Sequence, residues 1–232
     1  MPRAPLPART QPPTEPRLWL PLAIALAFAG CQDATGPLSE RNVARSQVGV
    51  AGQLVSDAMA STQLSILQQA PTAPPLETYQ LSFWAYKGDP STVTVNYQPA
   101  AGEWVGQPFL ELSIPKNGLL AGAGGESLKG GDSVLVTLTI DSVNFSVDFQ
   151  PSGVVFSTGN PATLVLWYEN ANPDLNGDGV VDTTDQMLEQ QLAVWYHATK
   201  TNSWFKLSSN NDPMLPSVST ALYHFSEYAV SW

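Results

Sequence analysis

The sequence predicts an all-β protein, an antiparallel β-sandwich of about nine strands with one short helix. Two observations support this fold class. From residue 79 onward, apolar and polar residues alternate with a period of two, which is typical of strands with one buried face. Clusters of glycine, proline, asparagine and aspartate separate these segments and indicate turns. The roughly 155 residues involved are enough for one hydrophobic core.

Nine segments show this alternation and define the predicted strands. In chain order they are residues 80–86, 91–97, 108–114, 133–140, 144–149, 162–168, 192–198, 204–207 and 219–230. The first two flank the turn sequence Lys-Gly-Asp-Pro at residues 87–90, so we expect them to form a β-hairpin.

The segment between the sixth and seventh strands has the spacing of an EF-hand loop. Such a loop binds Ca2+ through oxygens at positions 1, 3, 5, 7, 9 and 12 and carries glycine at position 6. Here Gly179 is at position 6, and the ligand positions hold Asp174, Asn176, Asp178, Val180, Asp182 and Asp185. Val180 would use its backbone carbonyl, Asp182 would act directly or through a water, and Asp185 would close the shell bidentately. The alternative is an acidic, Gly- and Asn-rich surface loop without a metal.

Mutual repulsion is expected among the four carboxylates of this twelve-residue loop when no cation is bound. We therefore expect the loop to be disordered without Ca2+ and ordered with it. Val181 is expected to point away from the ion and to pack against apolar neighbours.

With Asn at position 3 and Asp at position 12, the loop resembles the calcium repeats of bacterial dockerin modules. A dockerin has two such repeats, and this sequence has no second copy. Residues 162–168 indicate a strand in place of an entering helix. Residues 183–186 have the form of a capping box, and about two helical turns follow. A half EF-hand inserted between strands is therefore expected, and cohesin is not an expected partner.

The first 30 residues indicate a secretory signal. Three arginines precede an apolar run, residues 18–29, that is too short to span a bilayer. Phe28-Ala29-Gly30-Cys31 resembles a bacterial lipobox, in which the cysteine receives diacylglycerol and becomes the mature N-terminus. This implies export and a lipid anchor on Cys31 in the bacterial cell envelope, and Gln32 favours the outer membrane. The alternative is ordinary secretion with Cys31 as an incidental thiol.

Composition excludes several classes of function. Cys31 is the only cysteine, which excludes a disulfide framework, a Cys-rich zinc site and a catalytic cysteine in the mature domain. The chain has 20 acidic and 10 Lys or Arg residues, and removal of the signal takes away three arginines but only one acid. Nucleic acid and anionic membrane surfaces are therefore poor partners.

Residues 31–77 are predicted to be a tether with at most one helix. Residues 43–69 have a partly amphipathic helical pattern, which Gly49 and Gly52 weaken. The proline-rich run at residues 70–75 favours an extended, semi-rigid spacer. The sandwich itself is expected to occupy residues 78–232.

Five further segments occur in a fixed order, residues 109–115, 131–138, 149–156, 161–168 and 224–230. Together they resemble a ZU5-type β-sandwich over about residues 107–232, with the calcium loop as an insertion. The resemblance implies a binding or scaffolding module. A few members of this family cleave themselves at His-Phe-Ser, which is present here as His224-Phe225-Ser226. Ser226 would attack the carbonyl of Phe225 with His224 as base, although a regular strand at this point would prevent the reaction.

The remaining features favour a non-enzymatic protein. Apart from the His-Phe-Ser sequence, no nucleophile motif lies near His197 or His224. The glycines of residues 122–125 lack the lysine and threonine that end a phosphate-binding loop. His197 is expected on a partly exposed strand face beside Trp195. We expect a calcium-binding envelope protein with a structural or presentation role. The alternatives are a carbohydrate- or protein-binding module that uses surface aromatics, with Trp104 the best exposed candidate, and self-cleavage at Phe225-Ser226.

Overall fold

A computed structural model of the chain describes the backbone of residues 55–61 and residues 64–232 in full. The predicted signal peptide, Cys31 and most of the predicted tether lie outside the described residues. In chain order the elements are β1 (Val55–Ser61), β2 (Gln80–Tyr86), β3 (Ser91–Asn96), β4 (Pro108–Ile114), β5 (Leu119–Ala121), β6 (Ser133–Ile140), β7 (Ser146–Gln150), β8 (Val155–Phe156), β9 (Ala162–Trp167), α1 (Thr183–Glu189), β10 (Ala193–Ala198), β11 (Ser203–Leu207), β12 (Ser209–Asp212), β13 (Ser217–Leu222) and β14 (Glu227–Ser231).

The strands form two main antiparallel sheets, which confirms the predicted β-sandwich. The larger sheet has seven strands in the order β1-β11-β10-β14-β7-β6-β2. The smaller has five in the order β12-β13-β9-β4-β3, and β5 pairs with β8 in a separate ribbon. One short helix, α1, lies in the connection from β9 to β10, where the sequence predicts it.

One hydrophobic core lies between the sheets. In β6 of the larger sheet and β4 of the smaller, alternate residues such as Val136 and Leu110 are fully buried. The aromatic rings of Phe109 and Phe145, from opposite sides of the sandwich, are 5.3 Å apart between centroids. The period of two in the sequence therefore reports burial of one face of each strand.

The predicted β-hairpin of residues 80–86 and 91–97 is wrong. β2 pairs with β6 along its whole length, whereas β3 pairs with β4 in the other sheet. The turn at residues 87–90 therefore crosses from one sheet to the other. Alternation shows which side chains are buried, but it is the same whether the next strand lies beside the first or across the core.

The predicted single strand at residues 219–230 is also wrong, because the chain changes sheets there. β13 belongs to the smaller sheet and β14 to the larger. Between them the ring of Phe225, 1% exposed, stacks on Phe149 at 5.0 Å and meets Phe156 edge-on at 4.9 Å. Burial of this ring between the sheets favours the crossing over a continuous strand.

Four strands were not predicted. β5, β8 and β12 have four residues or fewer, too few for a period of two to stand out from the surrounding loops. The fourth, β1, contradicts the predicted helix over residues 43–69, because Val55–Ser61 pairs antiparallel with β11. Exposed sheet edges accept such a strand even where its local sequence has a helical pattern.

The described end of the predicted tether belongs to the sandwich. Leu67 is 2% exposed, and its N–H donates to the Val230 carbonyl at 2.9 Å. Leu76 is also 2% exposed. The proline run lies against the domain, since the Pro75 carbonyl accepts from the Gln98 N–H at 2.8 Å. Proline lacks an N–H but keeps a carbonyl acceptor, so it is compatible with this edge position.

Replacement of Leu67 with alanine is expected to reduce the free energy of unfolding by about 2–5 kcal/mol, because it leaves a cavity in the core. Leu215→Ala is the matched control, since Leu215 is 66% exposed and should change stability by less than about 0.5 kcal/mol. Equilibrium urea unfolding measures both. Equal, small effects would show that residues 64–77 are a tether after all.

Candidate metal site

The connection from β9 to β10 contains the predicted loop, residues 174–185, and is attached to the sandwich at its start. The Asn172 N–H donates to the Gln68 carbonyl at 2.8 Å, and the Asn172 side-chain oxygen accepts from the Asp174 N–H at 3.2 Å. Leu175 is half-buried and packs against the core. The first residues of the loop are therefore fixed to the domain.

The expectation that Val181 anchors the loop is wrong, because its side chain is 59% exposed. Leu175 has that role instead. Val180 is also 59% exposed, so of these three apolar residues Leu175 is the one that packs against the core. A pattern of apolar residues alone does not show which of them contacts the core.

The turn in the loop depends on two glycines and on Asp174. Gly177 has φ +74° and Gly179 φ +85°, a left-handed conformation that side chains disfavour. One oxygen of Asp174, Oδ1, accepts from the Gly177 N–H at 2.8 Å and the Asp178 N–H at 3.2 Å. Its other oxygen accepts from the Gly179 N–H at 2.9 Å. Position 1 of the predicted loop therefore organises the turn around itself.

Asn176 and Asp178 continue this pattern on the exposed side of the loop. The Asn176 Oδ1 accepts from the Asp178 N–H at 2.8 Å, and its Nδ2 donates to Asp178 Oδ2 at 3.0 Å. The other Asp178 oxygen accepts from the Val180 N–H at 2.8 Å. Asn176 and Asp178 thus each also bind the backbone N–H two residues later.

Asp185 joins the two ends of the loop. Its carboxylate is 2% exposed and accepts three backbone N–H groups, from Leu175 at 2.8 Å, Asn176 at 3.2 Å and Asp182 at 2.9 Å. The bond from Asp182, followed by those from Asn176 and Leu175, holds the pKa of Asp185 below its usual 3.8, against the opposing effect of burial. Asp185 is therefore a buried, ionised carboxylate that depends on its N–H donors.

The start of α1 differs from the predicted capping box at residues 183–186 by one residue. The N-cap is Asp182, whose Oδ1 accepts from the Thr184 N–H at 2.7 Å. In return, the carboxylate of Asp185, at the third helical position, accepts from the Asp182 N–H at 2.9 Å. Asp182 takes this position because its backbone is extended, with φ −141°, while Thr183 is already helical. The last ligand positions thus coincide with the helix cap.

The donor set suits a hard cation, because all the predicted ligand atoms are oxygens. A carboxylate has about four lone-pair sites, and Asp174 and Asp185 each use three for backbone N–H groups. Each keeps one site for a further contact. A bidentate contact from Asp185 would require release of one N–H group.

Among residues 64–232, the structure brings no three His, Cys, Asp or Glu side chains into a cluster that would hold a metal ion. It does bring the ends of the loop together through Asp185 and its N–H donors.

The His-Phe-Ser sequence lies in the crossing between β13 and β14. The Ser226 hydroxyl is buried and donates to the His197 carbonyl at 2.8 Å. His224 Nδ1 is 3.4 Å from the Phe225 carbonyl oxygen, which also accepts from the Gly153 N–H at 2.9 Å. Burial lowers the pKa of His224, which favours the neutral imidazole. In this arrangement the Ser226 hydroxyl bonds to a carbonyl and not to the imidazole that would deprotonate it.

His197 lies on the outer face of β10, partly exposed. Its ring stacks on Trp204 at 4.7 Å, and Nδ1 is 3.0 Å from a Glu227 oxygen. Nε2 is 3.1 Å from the side-chain oxygen of Asn202. The predicted neighbour, Trp195, is two residues away in the same strand and is buried. Both imidazole nitrogens therefore have partners within the sandwich.

Two hollows flank the loop and were not predicted. The larger, about 670 Å3, lies between the first residues of the loop, Leu188 and Trp232. The smaller, about 310 Å3, lies between Tyr168, Asp185 and Leu192. They arise from tertiary packing of distant segments. Two residues that fix the loop, Asn172 and Leu175, were not predicted to do so. Of these, Asn172 alone had a local sequence signal, an Asn two residues before Asp174 that suits an Asx turn.

In comparisons with known proteins, no protein-family model, no curated protein and no solved structure matches this chain. The described part of the chain contains no helix with the length and apolar character required to cross a membrane.

Replacement of Asp185 with asparagine is expected to lower the thermal unfolding temperature at neutral pH and to flatten its fall in acid. Because the folded pKa is depressed, this carboxylate stabilises the fold above pH 3.8, and that stability is lost as the pH falls through the folded value. Thermal unfolding of wild type and variant across this range, in chelator, measures the difference. Asp89→Asn, in an exposed turn, is the control and should keep the wild-type pH profile.

Proposed function

We propose that the protein is a non-enzymatic, calcium-binding β-sandwich of the bacterial cell envelope, exported and lipid-anchored through Cys31, with the outer membrane as its location. One observation carries the metal part of this proposal. Asp174 and Asp185, the first and last predicted ligands, are tied to the same short stretch of backbone, while Asn176 and Asp178 lie exposed beside them. The anchor and location rest on the sequence of residues 1–32.

A structural or presentation role follows from where the loop lies. A bound Ca2+ would supply positive charge among carboxylates that otherwise repel one another. Asp174, Asn176, Asp178, the Val180 carbonyl, Asp182 and Asp185 would hold it. These residues also cap α1 and connect β9 of one sheet to β10 of the other. The expected effect of binding is therefore greater stability of this connection.

Saturating Ca2+ is expected to raise the thermal unfolding temperature relative to chelator. At 100 times the dissociation constant, binding to the folded state alone stabilises by about 2.7 kcal/mol, or roughly 5–10 °C for a domain of this size. Differential scanning calorimetry in Ca2+ and in EGTA measures the shift. An unchanged unfolding temperature would remove the metal from the proposal.

Asp178→Asn is the test variant for this shift, because Asp178 is exposed and contributes no core contact. It should abolish most of the response to Ca2+ while the unfolding temperature in EGTA stays near that of wild type. Asp89→Asn makes the same chemical change in the exposed turn at residues 87–90 and should leave the response intact. An equal loss in both variants would indicate nonspecific screening of an acidic protein.

The non-enzymatic part of the proposal is supported by the partners of the His-Phe-Ser side chains. The Ser226 hydroxyl donates its proton to the His197 carbonyl and not to the His224 imidazole that would activate it as a nucleophile. Phe225 is held between Phe149 and Phe156, which restricts movement of the bond that would be cut. The self-cleaving alternative requires both contacts to break.

The protein is expected to remain uncut at Phe225-Ser226 during prolonged incubation at neutral pH. Intact mass spectrometry of the purified protein measures this, with Ser226→Ala incubated in parallel. A fragment that ends at Phe225 in wild type and is absent from Ser226→Ala would replace the proposal with self-cleavage.

A carbohydrate- or protein-binding surface module is a second candidate function. The observation that favours it is Trp104, which is 97% exposed next to Val105 at 65%. Exposed indole rings stack on sugars and are common anchors in protein interfaces. This function is compatible with calcium binding, because Trp104 lies outside the metal loop.

A further inference from the structure

The edge of the larger sheet formed by β2 lacks the features that usually prevent sheets from joining. Native edge strands are protected by charged residues, prolines, bulges or short length. β2 has seven residues, Gln-Leu-Ser-Phe-Trp-Ala-Tyr, without charge or proline, and pairs with β6 without a register shift. No described strand lies on its other side.

The other three sheet edges carry such protection. β1 has a register shift between Val55 and Ala60, and β12 has four residues and includes Asp212. β3 has a shift after Val95, and its Asn96 carbonyl already accepts from the Glu77 N–H at 2.9 Å. Only the middle of β2, at Ser82 and Trp84, lacks such protection, because its two ends bond to Thr78 and Asp89.

The backbone groups of β2 that point outward can be assigned from the ladder. At its two ends, the Tyr79 carbonyl accepts from the Ile140 N–H and the Lys87 N–H donates to the Asp132 carbonyl, each at 2.8 Å. Since bonding alternates along an antiparallel pair, the odd-numbered residues face β6. The N–H and C=O groups of Gln80, Ser82, Trp84 and Tyr86 therefore point away from β6. No described group bonds to those of Ser82 and Trp84, whereas both groups of Gln80 bond to the Thr78 hydroxyl and the Tyr86 carbonyl accepts from the Asp89 N–H at 3.3 Å.

The same four residues form the outer face of the strand, and its aromatic end is uncovered. Trp84 is 53% exposed, Tyr86 46%, and the cross-strand neighbour of Trp84, Leu135, 46%. An apolar group of this kind on a soluble domain is typical of an interaction surface. It lies next to the open backbone groups, so one partner can cover both.

We propose that β2 pairs antiparallel with β2 of a second copy of the chain and joins the two larger sheets. With the two-fold axis at Phe83, Gln80 lies opposite Tyr86 of the other copy, and Ser82 opposite Trp84. In this register Ser82 and Trp84 of each copy donate and accept backbone hydrogen bonds, and Gln80 and Tyr86 pair in the same way once the contacts with Thr78 and Asp89 are released. The proposal does not depend on calcium.

Charge selects a second copy as the partner. A two-fold interface places each residue near its own equivalent, so a chain with 20 acids against 10 Lys or Arg is repelled by itself over most of its surface. The outer face at this edge has no charge, because β2 pairs there with Ser133, Leu135, Thr137 and Thr139. It is a surface on which two acidic copies meet without opposing carboxylates.

Ser82→Lys against Thr92→Lys tests the pairing. Both residues are exposed, lie on edge strands and bond to a hydroxyl of the next strand, Ser82 to Thr137 at 2.7 Å and Thr92 to Ser113 at 3.2 Å. In the proposed dimer the two ammonium groups introduced by Ser82→Lys are diagonal neighbours and repel. The dimer dissociation constant should rise at least about tenfold for Ser82→Lys and stay unchanged for Thr92→Lys.

Sedimentation equilibrium of the purified full-length chain, with Cys31→Ser in every version, measures the dissociation constant. Circular dichroism verifies that each variant is folded. A wild-type chain that remains monomeric, whether the edge binds nothing, a glycan or a strand of another protein, overturns the proposal. So does an equal effect of both lysine variants.

A disulfide test checks the register. Phe83 opposes itself in a pair whose Cα atoms are about 4.5 Å apart, within reach of a disulfide, whereas Leu81 opposes residue 85 and lies too far from its own equivalent. Phe83→Cys should give a covalent dimer on mild oxidation, and Leu81→Cys should not. Equal crosslinking of both would contradict the proposed pairing.

Discussion

The apolar layer between the two sheets is the constraint that the rest of this structure obeys. Each long strand contributes alternate side chains to it. The chain changes sheets at several points, so both sheets supply side chains to the layer. The turn after β2 is one such change. The crossing at Phe225 is another, where one buried ring replaces the continuation of a strand. Leu67 extends the same layer into a segment whose local sequence is typical of a tether.

The connection from β9 to β10 is organised mainly by hydrogen bonds to its carboxylates, with Leu175 as its apolar anchor. Its carboxylates bind the backbone of their own loop, so they act as turn-forming groups in addition to their predicted role as metal ligands. These two roles compete for lone pairs on Asp174 and Asp185. They are compatible on Asn176 and Asp178, which lie exposed. The competition sets how many contacts each carboxylate has available for a cation.

The fold class and the bounds of β2, β4 and β6 could be predicted from the sequence, because burial of one face leaves a period of two. Strand partners could not, since alternation contains no information about what lies beside a strand. In the candidate site, the positions of the glycines and carboxylates were visible locally. The anchoring by Leu175 in place of Val181 was not, because it depends on which residue of the loop packs against a distant core.

The position of Asp185 also determines how the loop opens. The amide protons of Leu175, Asn176 and Asp182 are all bound by this one carboxylate, although two belong to the start of the loop and one to the helix cap. None of the three can exchange with solvent until Asp185 leaves its place. The loop and the first turn of α1 therefore form a single opening unit, with one local unfolding free energy shared by residues at both ends of the loop.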